Sequence, residues 1–297
     1  MLRHAFLIMA HKDWHTLKCL MSLLDAEWSD IYLHIDRKAK DFDQSDFKTI
    51  CRKSNVFFVQ RHNVTWGNES QVKAEMTLFK ESFKHGPYWY YHFLSGSDLP
   101  IKPLNYIYNF FEHRQYNFLT TENDISKYEW RLQTYIKIFR QNWLPASMRK
   151  RMNIFSEIIQ YKFHINRLKW LRKHYPIIGK GHNWCDLTDK AVEVLIKSAR
   201  DIRRFCRFTH CSDEMYKQIV LFNQPVAKTG PFSPFDIKMI EWEDDSDHPR
   251  TFQMNDFDNL VDVSNPYLFA RKFDSDVDPR VVDRLTNYLI GERNGRE

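Results

Sequence analysis

Tyr90-Tyr91-His92-Phe93-Leu94-Ser95-Gly96-Ser97-Asp98-Leu99-Pro100-Ile101-Lys102 is an apolar, aromatic run that stops at Ser-Gly-Ser-Asp and then a proline. The pattern predicts a buried strand ending in a polar turn. In open α/β sheets ligands gather just beyond the carboxyl ends of strands, so the turn reads either as an ordinary exit or as part of a site. Upstream, strands and helices alternate. His4–Ala10, Ile31–Ile35 (ending at Asp36), Asn55–Val59 and Tyr88–Leu94 read as strands. Trp14–Leu24, a polar segment running to about Arg52, and Ser70–Lys84, capped from Ser70, read as the helices between them. That alternation predicts a Rossmann-like, mainly parallel α/β sheet with helices on both faces. No G-x-G-x-x-G and no P-loop is present, and with 8 Gly in the chain a glycine-rich phosphate cradle is excluded.

At 297 residues the chain can bury a sizeable core and reads as one unit. Aromatic residues make up 15% of it, including 9 Trp; most belong in the core, and some suit stacking on sugars or bases. No apolar run approaches the ~20 residues that span a bilayer. Ala5–Ala10 is too short for a secretory core and lacks a small-residue cleavage site, so no signal peptide is expected. Cys19, Cys51, Cys185, Cys206 and Cys211 are scattered without C-x-x-C spacing, which argues against a zinc site and a disulfide framework and for a reducing cytoplasm.

Further along, Leu104–Glu112 reads as a helix and Arg131–His174 as a long basic helical stretch interrupted near Pro145. Ile177–Trp184 reads as strand and turn, and Thr188–Ala199, capped by Thr188, as a helix. Asp213–Phe222 and Arg280–Ile290 are helices, and the chain from Asp236 is irregular and acidic. Several polar groups fall at element ends: His34-Ile-Asp36, Trp66-Gly-Asn-Glu-Ser70, Ser212-Asp-Glu214, His248-Pro-Arg250, and Arg271-Lys272. Each has a plain structural alternative. Ser-Asp-Glu caps helices, His34 and Asp36 can form a strand-end turn, and Arg250 and Lys272 can pair with Glu243, Asp244 or Asp274 as solvated surface. Asp274-Ser-Asp276 fits the Asp-x-Asp pattern that holds a metal–nucleotide complex, but acidic surface turns produce the same pattern.

Taken together and in order, these pieces resemble the core-2/I-branching family of glycosyltransferases, which includes peptide O-xylosyltransferases. The matching stretches are Tyr32-Leu-His-Ile-Asp36-Arg-Lys, Trp66-Gly-Asn-Glu-Ser70 with Val72-Lys-Ala-Glu75, and Phe93-Leu-Ser-Gly-Ser-Asp98-Leu-Pro-Ile-Lys102. They continue with Gly181-His-Asn-Trp-Cys-Asp-Leu-Thr188, Ser212-Asp-Glu214, Ile240-Glu-Trp242 with His248-Pro-Arg250, and Leu268-Phe-Ala-Arg-Lys272-Phe273. The resemblance spans about residues 5–273. It implies a GT-A fold, inversion at the anomeric carbon, and a UDP-sugar donor handled without a divalent metal or other cofactor. N-acetylglucosamine is the first expectation for the sugar and xylose the second.

By this resemblance Glu214 is the base, while Asp213 beside it points elsewhere because neighbouring helix residues do not share a face. Asp36 and Trp66, with His11 as a weaker candidate, hold the nucleotide. Arg250 and Lys272 take the diphosphate, Arg271 stays open as a helper, and Asp274-Ser-Asp276 is demoted to surface. Asp98 and Trp242 lie on the sugar and acceptor side. The division that follows is a nucleotide-sugar half (1–103), a basic helical insertion (131–174) and an acceptor and catalytic half (175–297). The membrane anchor and disulfides of animal members are missing, which suits a bacterial-type cytoplasmic enzyme making cell-surface or lipid-linked glycans.

The net charge of +6 is uneven. Arg131–Lys173 holds eleven Lys or Arg against one acid, Glu157, a local +10 that leaves −4 for the remainder. Aromatic and aliphatic residues interleave with these cations. Three readings follow: amphipathic helices with a solvated basic face, docking to an anionic membrane that presents a lipid-linked acceptor, or nucleic-acid binding. The last explains the charge but none of the strand-end motifs. Beside the metal-independent transferase stand two competitors, a metal-dependent GT-A enzyme and a non-catalytic module binding nucleic acid or anionic lipid.

Overall fold

A computed structural model of the chain describes residues 2–122, 124–136, 145–243 and 248–294. Lys137, Arg140 and Trp143 of the basic stretch, and Asp244, lie outside the described residues. The strands are β1 (His4–Ala10), β2 (Ser29–Ile35), β3 (Asn55–Phe58), β4 (Tyr90–Ser95), β5 (Asp98–Pro100), β6 (Cys185–Thr188), β7 (Lys238–Ile240) and β8 (Phe269–Arg271). The helices of the first half are α1 (Trp14–Leu23), α2 (Ser45–Lys48), α3 (Glu69–His85), α4 (Leu104–Glu112), α5 (Trp130–Gln133), α6 (Ala146–Lys162) and α7 (Arg167–His174). Those of the second are α8 (Asp189–Lys197), α9 (Ala199–Cys206), α10 (Tyr216–Phe222), α11 (Val226–Thr229), α12 (Phe257–Val261) and α13 (Pro279–Asn294).

The central sheet has the order β3-β2-β1-β4-β6, parallel except for β6, which runs antiparallel to β4. Its near-continuous apolar strands follow from burial on both faces. Phe6, Ile8, Ile31, Leu33, Tyr90 and Leu94 point to one side, where α1, α4, α13 and a second sheet cover them. Ala5, Leu7, Tyr32, Tyr91 and Phe93 point to the other, under α3, α8 and α10. Each fully buried large side chain contributes roughly 1.5–3 kcal/mol, so this double layer fixes the register of the strands.

Several sequence expectations are corrected. Strand β6 is Cys185–Thr188, not Ile177–Trp184. The acidic C-terminal third is not simply irregular: β7 and β8 join β5 in a three-stranded sheet, ordered β5-β8-β7. Three-residue strands with partners distant in sequence leave no local periodicity to read. Helix α3 is capped by Asn68, whose Oδ1 accepts from the Ser70 N–H at 2.9 Å, while Ser70 Oγ accepts from Thr65 N–H. Thr188 precedes α8 without a side-chain cap; its hydroxyl lies 3.0 Å from Asn117 Oδ1 and 3.2 Å from Thr229 O. The Asp213–Phe222 helix is a 3-10 turn, Ser212–Glu214, followed by α10.

Candidate active site

Because β1, β2 and β4 are parallel and adjacent, their carboxyl ends open on one edge. Ala10 pairs with Ile35, and Met9 with Ser95. The ladder runs one step further through Asp36 N–H to Ala10 O and Gly96 N–H to Met9 O, both 2.9 Å. A Cβ on Gly96 would fall 2.8 Å from the Ala10 Cβ, so only glycine lets this turn lie against β1. Beyond the edge is a cleft of about 450 Å³ bordered by His11, Asp36, Trp66, Glu214, Trp242 and Arg271, among others. Five of the eight residues given site roles from the sequence therefore border one cavity: His11, Asp36, Trp66, Glu214 and Trp242.

Asp36 is 7% exposed; its Oδ1 accepts from the Lys38 and Val64 N–H groups at 2.9 and 3.4 Å. Burial pushes the His11 pKa down, partly offset by Asp36, so its ring is neutral at pH 7. His34, buried below them, accepts from the His62 N–H through Nε2 at 3.0 Å, and burial lowers its pKa to about 4. Trp66 stands edge-on to His210 and His248. Opposite, half-exposed Trp242 lies nearly parallel to the His182 ring, 6.4 Å away.

Glu214 reaches the cleft from the 3-10 turn. The turn is fixed by Cys211 N–H to Gly67 O at 2.9 Å and Gly181 N–H to Glu214 O at 3.0 Å. Gly67 has φ 71°, the left-handed region that favours glycine. Glu214 Oε2 lies 2.9 Å from Arg131 Nη1 and 3.8 Å from Lys180 Nζ, with the side chain 31% exposed. It is an accessible carboxylate at the cleft, held in place by two cations.

Asp213 also borders the cleft, so it does not simply face away; an α-helical rule for neighbours does not hold in a 3-10 turn. Its carboxyl turns inward. Oδ2 accepts from Gln71 Nε2 at 3.1 Å, and Oδ1 has no hydrogen-bond partner. Burial first, then the charges of Glu75 and Glu214, push its pKa up to about 8, so it carries a proton at neutral pH. Beneath it, Lys217 Nζ and Tyr216 OH both donate to Glu75 Oε2, at 2.7 and 2.8 Å, and Lys217 also reaches Asp213 O at 3.2 Å. Sequence reasoning gave this triad no role. Glu75 stood in a matched stretch, but a lysine inside an apolar helix gives no sign of its partner.

The cations are arranged differently from expectation. Arg250 does not border the cleft, and its fork is closed: Nε and Nη2 meet Glu241 Oε2 at 2.9 and 2.6 Å, Nη1 and Nη2 meet Asp256 at 2.9 and 2.8 Å. Lys272 is half-buried, 3.9 Å from Asp274, with its pKa lowered by burial. Arg271 is the guanidinium that borders the cleft. It lies over Trp184 and donates to Asp98 Oδ1 at 2.6 Å and to Ser95 Oγ. Asp98 itself is 2% exposed, does not border the cleft, and holds the turn by accepting from Ser95 N–H and Oγ, both at 2.8 Å. Asp274 is not solvated surface; it is buried against Lys12 Nζ at 2.7 Å, and only Asp276 is exposed. Among the described residues, the ligand-type side chains close enough to share an ion are His15, Cys19 and Asp283, at α1 and α13 and away from the cleft.

The basic insertion is partly internal too. Besides Arg131, Arg167 donates to Thr134 O, Phe205 O and Arg207 O, while Arg172 pairs with Glu129 at the surface. No described helix is long and apolar enough to cross a membrane.

The chain is 22% identical over 318 residues to xylosyltransferase 2 of Rattus norvegicus, covering 98% of this chain and 34% of the relative. It is 22% identical over 283 residues to xylosyltransferase 1 of the same species, covering 88% and 32%. The chain thus spans about a third of the length of the curated relatives it matches. The solved apo structure of mouse xyloside xylosyltransferase 1 aligns over 90% of this chain and 96% of that one, with a TM-score of 0.39 and 9% identity. The sequence model of the Core-2/I-Branching enzyme family matches residues 4–261, nearly the full set of elements that build the cleft, and the chain belongs to that family.

Proposed function

We propose that the chain is an inverting glycosyltransferase in which Glu214 deprotonates an acceptor hydroxyl held at the cleft. The hydroxyl oxygen bonds to the anomeric carbon of a UDP-sugar as the bond to the diphosphate breaks, and UDP departs with the electron pair. One base suffices for such a single displacement, whereas retention by double displacement needs a carboxylate nucleophile as well. The observation that carries the reading is the contrast between the two adjacent carboxyls. Glu214 is accessible at the cleft, while Asp213 is buried and turns inward, its Oδ2 on Gln71 Nε2 and its Oδ1 without a partner. Asp36, with its Oδ1 engaged by two backbone N–H groups, suits binding of a ribose or base edge.

Charge developing on the leaving diphosphate needs fixed cations or a metal. Arg271, with Lys272 behind it, fills that role in this reading, and no divalent ion is required. Arg250 joins only by exchanging a carboxylate for phosphate. Trp242 offers a face for the acceptor sugar. N-acetylglucosamine and xylose are the donor sugars to test first, and the relatives named xylosyltransferases favour xylose. The acceptor is a glycan hydroxyl, in keeping with cell-surface or lipid-linked glycan synthesis. Thermal shift and UDP release across a panel of UDP-sugars in excess EDTA test the proposal. One donor that stabilises the protein and turns over with EDTA present is expected. Turnover abolished by EDTA and restored by manganese overturns the metal-free part, and no response to any UDP-sugar or to UDP overturns the whole.

A further inference from the structure

Helix α6 wears its apolar residues on the outside. Met148, Met152, Phe155 and Ile159 recur at spacings of four, three and four, which is one stripe of a helix, and all are exposed, Phe155 to 66%. Ile158, Tyr161 and Phe163 extend the patch at 60, 83 and 71% exposure. The helix touches the body along the flank next to the stripe, where Gln160 is buried. A groove of about 880 Å³ runs between the stripe and Tyr135, Ile165 and Phe208. Soluble monomers rarely leave a contiguous apolar patch of this kind uncovered. The same surface is basic: Lys150, Arg151 and Lys162 on α6 and Lys169 and Lys173 on α7 are all exposed, and Glu157 is the one acid across both helices.

We infer that α6 and α7 dock the protein on an anionic lipid bilayer, with the aliphatic and aromatic stripe in the interfacial layer and the lysines and arginines on the headgroups. Apolar burial and attraction to anionic lipid are the two contributions that hold interfacial helices. Met148, Met152, Ile158 and Ile159, four of the seven patch residues, offer no ring for a base to stack on, which favours lipid over single-stranded nucleic acid. Docking is tied to the cleft. Gln160 clamps the Tyr135 backbone, accepting from its N–H at 2.7 Å and donating to its C=O at 2.9 Å. Tyr135 lies two residues past α5, whose Arg131 holds Glu214. A bilayer under α6 would set the orientation of the cleft towards hydroxyls presented at the membrane surface. The docking itself does not rest on the transferase reading.

Flotation of the full chain with phosphatidylcholine vesicles, with and without phosphatidylglycerol, tests it. The protein is expected to float only with the anionic vesicles and to be released by high salt. Phe155→Ser/Ile158→Ser and Lys150→Glu/Arg151→Glu should each weaken binding by at least about tenfold. Because these side chains are exposed, both variants should melt at or near the wild-type temperature. Failure of the wild type to float, or undiminished binding by the folded Phe155→Ser/Ile158→Ser variant, overturns the inference. So does a dimer in light scattering that this variant abolishes while wild type ignores vesicles, since the patch would then cover a second copy.

Discussion

Asp213 and Glu214 are chain neighbours with opposite electrostatic settings, and the difference is testable. The folded state holds a proton on Asp213 that the unfolded chain releases near pH 4. That contribution is complete below about pH 4 and is lost as the pH rises towards 8. His34 acts with the reverse sign: its stabilisation is present above about 6.5 and is lost as the pH falls through about 4. Asp213→Asn mimics the protonated acid, so melting curves between about pH 5 and 8 should flatten on the alkaline side; an unchanged slope would contradict the protonated assignment. Lys217→Met leaves Glu75 buried without its cation and should cost roughly 3–5 kcal/mol in urea unfolding. Arg271→Ala should lower kcat by about 10²–10³ and also lower the melting temperature, because Asp98 is left buried without its cation. A loss confined to stability would make it only a brace for the Ser95–Asp98 turn.

The long elements were legible because their patterns are local. Strand β1 and helix α4 match expectation residue for residue, since an apolar run or a 3.6-residue period is complete within the segment. What escaped depends on distant partners. Strand β5 pairs with β8 across the molecule, Asp98 opposite Arg271, and β8 pairs in turn with β7. Asp36, one residue past β2, and Trp66, in the loop before α3, were singled out by the family resemblance, and both border the cleft. The closed fork of Arg250 was not legible, because Glu241 and Asp256 flank it in an irregular stretch without periodicity. At this scale Gly96→Ala is the informative change. The added Cβ meets Ala10 on a buried strand, so the β4–β5 turn must shift, costing about 1–3 kcal/mol. Denaturant midpoints check this, and a neutral effect would show the turn is free to move.

For the molecule as a whole, the charge asymmetry seen in the sequence resolves into two populations. Arg131 and Arg167 serve the interior and the Glu214 turn, whereas Lys150, Arg151 and Lys162 of α6 and Lys169, Arg172 and Lys173 of α7 remain exposed. The central claim is that the cleft performs a single displacement with Glu214 as its base. The direct measurement is UDP release with excess EDTA, comparing wild type with Glu214→Gln on the donor that wild type turns over. Glu214→Gln should lose about 10²–10⁴-fold while still shifting its melting temperature with UDP. Turnover retained by a folded Glu214→Gln would contradict that claim and move the base elsewhere in the cleft.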